Sequence, residues 1–290
     1  MPEPVLVIGA SGTLGREVVR RLDAAGYPTR RATRNPDRDA VAEHRAVRFS
    51  WDSPLTFEPA VEGVAQVLLT VRPLDLAAAV VVPEFLEACL SAGVGHVTLV
   101  SALGADEQRS GPLGLVEHVL AHSGLGWTIL RPNFFMENFS HGWLRPEIQS
   151  VGRICLPADS GRTSFVSVDD VAEVAARVLR DPDRRGQAYD LTGDDPMSHT
   201  AVAAAITRAS GRPVNYHPLT EDEMRARGRR AGLPPGPLEY LLVLYALVRE
   251  GRAARVSGAV KTLLGRKPRS FDDFAEANAD RWRVGSHARG

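Results

Sequence analysis

The 290-residue sequence is poor in lysine and cysteine and carries no net charge. Lys261 and Lys267 are its only lysines, and 35 basic residues balance 35 acidic ones. A neutral chain has no general positive field that would attract nucleic acid or an anionic membrane surface. Cys89 and Cys155 lie far apart, which excludes a disulfide scaffold and a cysteine-built zinc site. We expect no nucleic-acid partner and a reducing, cytoplasmic location.

Long hydrophobic runs are also missing. No apolar stretch reaches the roughly 18 residues that a membrane span requires. The N-terminus enters the strand-like run Val5-Leu6-Val7-Ile8 without a basic leader or a cleavage site. With 44% hydrophobic and 24% charged residues, the composition is that of an ordinary globular protein. The sequence therefore predicts a soluble protein without a membrane partner.

The first half of the chain alternates short β-branched runs with amphipathic helical stretches. Strands are predicted at residues 5–8, 29–33, 47–50, 67–71, 97–101 and 127–130, and the stretch 13–25 has helical spacing. Such alternation is typical of right-handed βαβ crossovers and a parallel sheet covered on both faces. The predicted fold is an α/β protein with a Rossmann-type, doubly wound parallel sheet.

The second half is less regular. Residues 164–168 look like a strand leading directly into a helix at 169–179. The run Pro234-Pro235-Gly236-Pro237 is expected to break the chain before 238–248, a helix so apolar on all sides that it should be buried. We therefore predict a dinucleotide-binding domain at 1–150 and, at 151–290, a smaller, mainly helical α/β part that binds substrate.

The strongest local signal is a glycine loop, Gly9-Ala10-Ser11-Gly12-Thr13-Leu14-Gly15, between the first strand and the first helix. Gly9 allows the tight turn, Gly12 lets the backbone approach a pyrophosphate, and Gly15 permits close packing of helix on sheet. The helix N-terminus adds oriented N–H donors. In this context the motif predicts dinucleotide binding; the alternative is a glycine-rich turn without a ligand.

Arginine follows the second strand, where an acidic residue would hold the ribose of NAD. Arg34 stands at the strand's end, Arg31 lies a little earlier, and the segment from Thr29 has no acid before Asp37. A guanidinium fork suits the 2′-phosphate of NADP. NADP(H) is therefore favoured over NAD(H), unless these arginines are solvated edge charges.

Further cofactor contacts are expected at the carboxyl ends of the other strands. Trp51 could stack on the adenine and Asp52 could accept from its amino group, although a buried Trp with a turn-capping Asp fits almost as well. Ser101 and Asn133 are weak catalytic candidates because they are the hydrogen-bonding side chains expected nearest the nicotinamide. The remaining cofactor-binding candidates are Thr70, Val71, Arg72 and Phe134.

No metal site is predicted. His118 and His122 share one helix face at i, i+4 spacing, but no third ligand is in view, so a solvated or capping role is favoured. Ser101 is not expected to be a nucleophile, because no Gly-x-Ser-x-Gly elbow surrounds it.

These motifs together resemble the NmrA-like group of atypical short-chain dehydrogenases/reductases, which includes NAD(P)H-dependent quinone reductases and NADP-sensing regulators. The resemblance runs through almost the whole chain. It is carried by the glycine loop and by TRNP at 33–36, SALGAD at 101–106, WTILRP at 127–132, FMEN at 135–138, FVSVDDVA at 165–172, YDLTG at 189–193 and LGRKPRSF at 264–271. It implies that the glycine loop and Arg34 hold NADP(H).

The sequence departs from this pattern at the proton donor. Ordinary short-chain reductases use a Tyr-x-x-x-Lys pair, yet this chain has no Tyr between Tyr27 and Tyr189 and no Lys before Lys261. Reductases of the group often carry His or a basic residue just before the helix at 115–121, where this chain has Pro112-Leu113-Gly114. Hydride transfer still needs mainly a cofactor and an acceptor at near-attack distance, and water can protonate a reduced quinone afterwards.

We therefore predict an NADPH-dependent oxidoreductase that reduces a quinone, an enone or a ketone, with secondary metabolism as one setting. An aromatic or carbonyl substrate would contact Phe135, Met136, Phe139 and Trp143, and the 238–248 helix would form a lid; these aromatics could equally be core. Two alternatives stay open: a non-catalytic NADP(H) sensor that acts through a protein partner, and a redox-neutral isomerase or cyclase. A homodimer is a further expectation.

Overall fold

The computed structural model describes residues 3–36, 46–72 and 74–283. Its strands are β1 (Val5–Ile8), β2 (Thr29–Thr33), β3 (Ala46–Arg48), β4 (Gln66–Thr70), β5 (His96–Val100), β6 (Gly126–Pro132), β7 (Arg153–Leu156), β8 (Arg162–Thr163), β9 (Gln187–Leu191), β10 (Met197–Ser198) and β11 (Asn215–Pro218). Its helices are α1 (Thr13–Ala24), α2 (Phe57–Val61), α3 (Ala78–Ser91), α4 (Pro112–Ala121), α5 (Arg145–Val151), α6 (Val168–Val178), α7 (His199–Ser210), α8 (Glu221–Arg230), α9 (Pro235–Arg249), α10 (Ala259–Leu264) and α11 (Phe271–Ala277).

The main sheet is parallel, in the order β3-β2-β1-β4-β5-β6-β9. Its central strands β1, β4 and β5 are short and mainly apolar, as expected where helices cover both faces of a parallel sheet, whereas β2 and β9 are more polar. The predicted doubly wound fold is confirmed, and the six strands predicted for the first half lie within two residues of their observed positions. The order reverses between β1 and β4, so the carboxyl ends of these two strands form the switch point where such folds bind ligands.

The chain folds into two compact units. The first contains Met1–Pro132, Val168–Leu191 and Thr262–Gly265, and the second contains Asn133–Ser167, Thr192–Lys261 and Arg266–Gly290. Each unit has its own hydrophobic core. The chain thus leaves the first unit after β6 and returns to it with α6 and β9. The assignment of substrate binding to the second part stays a prediction.

Three predictions for the later part of the chain are wrong. Helix α9 begins at Pro235, within the run expected to break the chain. Proline is tolerated there because the N–H groups of the first helical turn have no intrahelical partner, so the missing N–H of proline breaks no hydrogen bond. This helix is also not buried all round: Leu238, Leu242, Tyr245 and Val248 face the core, whereas Val243 is 45% exposed. The expected strand at 164–168 is reduced to a bridge at Val166 and the start of α6.

Candidate functional site

The glycine loop joins β1 to α1 with the geometry that its three glycines require. Gly9 has a φ of +74°, and a Cβ there would lie 2.7 Å from Thr70 Oγ1. A Cβ on Gly15 would lie 2.2 Å from the Gly9 carbonyl oxygen, so the helix can approach the loop this closely only without a side chain. Gly12 donates its N–H to the same carbonyl at 2.9 Å and forms the N-cap of α1.

The N-terminus of α1 is open on its outer side. Ser11, Gly12 and Thr13 are exposed and Leu14 is half-buried. No side chain of the described residues caps this end, and its first turn contains no acidic residue. The backbone N–H groups and the positive end of the helix dipole are therefore available to an anion.

The two arginines of the second strand have different surroundings. Arg34 directly follows β2 and is exposed beside the switch point. Arg31 instead pairs with Asp23 of α1 at 3.0 Å. This ion pair commits the Arg31 guanidinium to the helix, so the expected approach to phosphate rests on Arg34. Asp37 lies outside the described residues.

Polar groups follow β4 beside the glycine loop. Thr70 Oγ1 donates to the Ile8 carbonyl at 2.9 Å, which ties β4 to the end of β1, and half-buried Val71 packs against the core. Arg72 bonds both oxygens of Asp52 at 2.8 Å and also contacts Asp75 at 2.9 Å. Asp52 is largely exposed, so its carboxylate is accessible for the predicted contact with the adenine.

Trp51 is buried in the core, as in the alternative interpretation of this residue. It is 9% exposed and makes edge contacts with Phe49, Phe57 and Phe85, with ring centroids 4.9 to 5.8 Å apart. These four rings form one cluster in the core of the first unit. The structure thus gives Trp51 a packing role instead of an exposed face on which adenine could stack.

Ser101 follows β5 directly and is buried against α4. Its hydroxyl donates to Glu117 Oε1 at 2.5 Å, and its backbone N–H donates to the Leu130 carbonyl at 2.7 Å. Arg131 of β6 clamps the same carboxylate, with Nε 2.9 Å from Oε1 and a terminal nitrogen 2.6 Å from Oε2. Glu117 is only 5% exposed. A buried carboxylate therefore links the polar ends of β5 and β6.

Arg131 is itself held by further acids. Asp106 accepts at 3.0 Å, and Asp190 of β9 lies 3.8 Å away. Burial by itself would lower the pKa of Arg131, but its bonds to Glu117 and the two nearby acids raise the pKa above its ordinary value. The guanidinium is therefore permanently charged and keeps Glu117 paired.

Glu117 was not among the predicted site residues. The signal for it is that Glu117 is the one acid of α4 and lies among the residues that the helix buries, beside Val116 and Leu120. A buried acid within such a face requires a charged partner. The sequence alone does not identify that partner as Arg131.

Asn133 belongs to the second unit, and the N–H groups of its side-chain amide are already in use. Nδ2 donates to Ser164 Oγ at 2.8 Å, to the Ala253 carbonyl at 2.8 Å and to the Ser164 carbonyl at 3.2 Å, while Oδ1 accepts from the Phe134 N–H. Two amide hydrogens cannot serve these acceptors and a nicotinamide as well. The structure assigns Asn133 to holding its loop in place.

The predicted substrate contacts divide into core and surface residues. Met136 and Phe139 are 2% and 1% exposed, and Phe139 packs on Phe165 and Phe271 in the core of the second unit. Trp143 is 49% exposed, and Phe135 is half-buried. Half-buried Phe134, predicted as a cofactor contact, lies 5.8 Å from the ring of Tyr245. Only the more exposed residues of this group are accessible to a ligand.

The histidine pair on α4 forms no metal centre. The His118 and His122 rings are 4.3 Å apart, and His122 Nδ1 bonds the His118 carbonyl at 2.8 Å. Across the described ranges, no three His, Cys, Asp or Glu side chains are grouped as a metal would require. The same ranges contain no helix that is long and apolar enough to cross a membrane.

Comparison with known proteins decides the family. Residues 9–182 match the NAD(P)H-binding family, a span that starts at the first glycine of the loop. The chain belongs to this NAD(P)H-binding family. It is 32% identical to the NAD(P)H azoreductase of Xenophilus azovorans, over 95% of this chain and 98% of that protein.

Solved structures agree with this assignment. The NADPH complex of the NADPH-dependent quinone oxidoreductase QOR2 from Escherichia coli matches with a TM-score of 0.80 and 26% identity, covering 94% of this chain and 99% of that one. The negative transcriptional regulator NmrA in complex with NAD matches in fold alone, with a TM-score of 0.72, 16% identity and coverage of 95% and 94%. The predicted NmrA-like resemblance, the dinucleotide cofactor and the assignment to NAD(P)H-dependent oxidoreductases are confirmed.

Proposed function

We propose that the chain uses NADPH to reduce a quinone, an enone or a ketone. The observation that carries the proposal is the open N-terminus of α1 behind a glycine loop whose conformation leaves no room for side chains at Gly9 and Gly15. The similarity to an azoreductase and to a quinone oxidoreductase supports an organic acceptor of this kind.

Arg34 is the basis for preferring NADPH to NADH. The glycine loop would bind the pyrophosphate through Ser11 and the N–H groups of α1, while exposed Arg34 would meet the 2′-phosphate. Thr70, Val71 and Arg72 would border the dinucleotide at the switch point, and Asp52 would accept from the adenine amino group. When bound, the reduced nicotinamide supplies a hydride.

Protonation of the reduced acceptor is assigned to water. The chain lacks the Tyr-x-x-x-Lys pair, and Ser101 already donates its proton to Glu117. A quinone tolerates the absence of an enzymatic acid because its reduced form is a stabilised anion. This anion can take its proton from water after the hydride transfer. Phe134, Phe135 and Trp143 are the predicted residues with exposed aromatic surface for a flat substrate.

Location and assembly remain parts of the proposal. Cys89 and Cys155 are both free and buried, which suits a reducing cytoplasm. A homodimer stays a prediction, to be checked by light scattering.

A fluorescence titration with NADPH and NADH tests the cofactor assignment. We expect NADPH to bind at least tenfold more tightly than NADH, and Arg34→Ala to abolish the difference because the 2′-phosphate loses its guanidinium. Arg31→Ala is the matched control: it removes an arginine of the same strand that Asp23 already holds, and it should keep the preference for NADPH. Equal binding of both dinucleotides by the unaltered protein would contradict the assignment.

The same complex, challenged with quinones, enones and ketones, tests the reaction. Steady consumption of NADPH supports the reductase. Tight binding without turnover on any acceptor would instead favour the sensor, and product without net loss of NADPH would favour the isomerase or cyclase.

A further inference from the structure

The Ser101 hydroxyl has a fixed direction. It lies 2.5 Å from Glu117 Oε1, at the short end of the range for O–H···O⁻ bonds, which are roughly twice as strong as neutral ones. A serine has one hydrogen and two lone pairs. With the hydrogen committed to Glu117, the hydroxyl offers only lone pairs to a neighbouring molecule.

Arg131 holds Glu117 in the position in which its carboxylate accepts the Ser101 hydrogen. Both of its oxygens accept from Arg131, whose side chain is 14% exposed and is further paired with Asp106. With Arg131 donating to both of its oxygens, the Glu117 carboxylate accepts the Ser101 hydrogen, and the Ser101 hydroxyl presents its lone pairs to a neighbouring molecule.

Ser101 lies where its hydroxyl could accept a hydrogen bond from the cofactor. The residue immediately follows β5, at the edge of the sheet where open α/β folds bind their ligands. Its own N–H is already bonded to the Leu130 carbonyl, so Oγ is the side-chain atom through which Ser101 could contact a ligand. The nicotinamide carboxamide carries the complementary group, an NH₂ donor.

We propose that Ser101 accepts a hydrogen bond from the nicotinamide carboxamide, and that Glu117 is the positioning residue that makes it an acceptor. This inference rests on the proposed function. Ser101 then orients the ring for transfer and does not protonate the substrate. A hydride with its electron pair leaves C4 of the dihydronicotinamide and bonds to the acceptor, NADP⁺ forms, and water supplies the proton.

The test compares two cofactors in three forms of the full-length protein. Reduced 3-acetylpyridine adenine dinucleotide phosphate has a methyl group in place of the carboxamide NH₂, so it cannot donate to Ser101. The kcat/KM ratio of NADPH to this analogue is measured for the unaltered protein, Ser101→Ala and Glu117→Gln with one quinone. Because each ratio is compared between variants, intrinsic differences in cofactor reactivity cancel.

We expect both variants to lower the ratio by about tenfold, the size of one hydrogen bond. Asp106→Asn is the matched control, because it alters an exposed partner of Arg131 and leaves Ser101 and Glu117 in place. The ratio should not change in this variant. Thermal unfolding of every variant separates loss of fold from loss of orientation, and Ser101→Ala keeps the test decisive if Glu117→Gln unfolds.

Two results would overturn the proposal. One is an unchanged ratio in folded Ser101→Ala, and the other is a ratio that falls equally in Asp106→Asn. Failure of the proposed function is separate: the unaltered protein would then not consume NADPH with any acceptor, whatever the variants do. In that case binding constants for NADP⁺ and its acetylpyridine analogue replace kcat/KM, and the same tenfold change is expected.

Discussion

Gly12 and Gly15 contribute to the glycine loop in different ways. A Cβ on Gly15 would meet the backbone of Gly9 at 2.2 Å, whereas one on Gly12 would meet it at 3.2 Å, with a φ of −75° that any residue adopts. The close contact at Gly15 gives it a packing role, whereas the role of Gly12 in ligand approach stays a prediction.

Alanine substitutions should separate these two roles. Gly15→Ala should lower the free energy of unfolding by about 3 kcal/mol, because helix or loop must move to admit the methyl group. Gly12→Ala should keep the protein within about 1 kcal/mol of its original stability but weaken NADPH binding, since the backbone can no longer approach the pyrophosphate. Urea unfolding and NADPH titration of both variants check this. Equal effects of both variants on stability would contradict it.

At the residue scale, the sequence is most informative where one residue type determines the geometry. The turn at Gly9 and the position of Arg34 after β2 could be predicted because turn conformation and strand ends are local properties, and the role of Arg34 stays a prediction. Trp51 could not, because its burial depends on Phe57 and Phe85, which follow later in the chain. The link between Ser101 and Glu117 likewise exists only once β5 and α4 are packed.

Among the helices, α8 depends on its N-terminal cap. Thr220 Oγ1 accepts from the Glu223 N–H, and the Glu223 carboxylate accepts from the Thr220 N–H. The helix then presents Arg225 to Glu239 of α9 at 2.9 Å. The cap therefore supports a helix pair in the second unit.

Removing this cap should destabilise the protein by about 1 kcal/mol. Thr220→Ala leaves the Glu223 N–H without its side-chain acceptor, whereas Thr220→Ser keeps the oxygen and should be nearly neutral. Urea unfolding of both variants measures the difference. A loss of the same size in Thr220→Ser would show that the methyl group, and not the cap, carries the effect.

Elements of the first 132 residues were predictable because successive strands and helices lie close together in the chain. The return of the chain to the first unit was not. β9 pairs with β6 through partners such as Leu130 and Tyr189, which are far apart in sequence. The five residues of β9 are only moderately apolar, so their sequence does not indicate that they pair with β6.

At the scale of the whole molecule, two buried histidines make stability depend on pH. His96 and His199 are 2% and 3% exposed, and burial lowers the pKa of each to about 4, with Arg185 contributing at His96. Nδ1 of each ring has no hydrogen-bond partner among the described residues. His199 lies among Phe165, Tyr216 and Tyr245, in the core of the second unit.

Stability should therefore fall as the pH drops from about 6.5 towards 4. In this window the unfolded chain binds protons that the folded chain does not, so the unfolded state is stabilised by up to about 3 kcal/mol per histidine. Urea unfolding between pH 7.5 and 4.5 measures the slope. His199→Phe should flatten it, because the ring is kept and the titration is removed, whereas substitution of exposed His118 by Phe should not. An unchanged slope in His199→Phe would contradict the assignment.

The pairing of β6 with β9 also constrains how the chain is made. While the ribosome is still adding residues 133–186, β6 is the outer strand of a growing sheet and displays a row of unpaired backbone groups, a pattern that promotes aggregation. The sheet gains its last strand only when Leu191 has emerged. A gene truncated near residue 150 would leave this edge open permanently, so the dinucleotide-binding half should be expressed only with the return segment Val168–Leu191 attached.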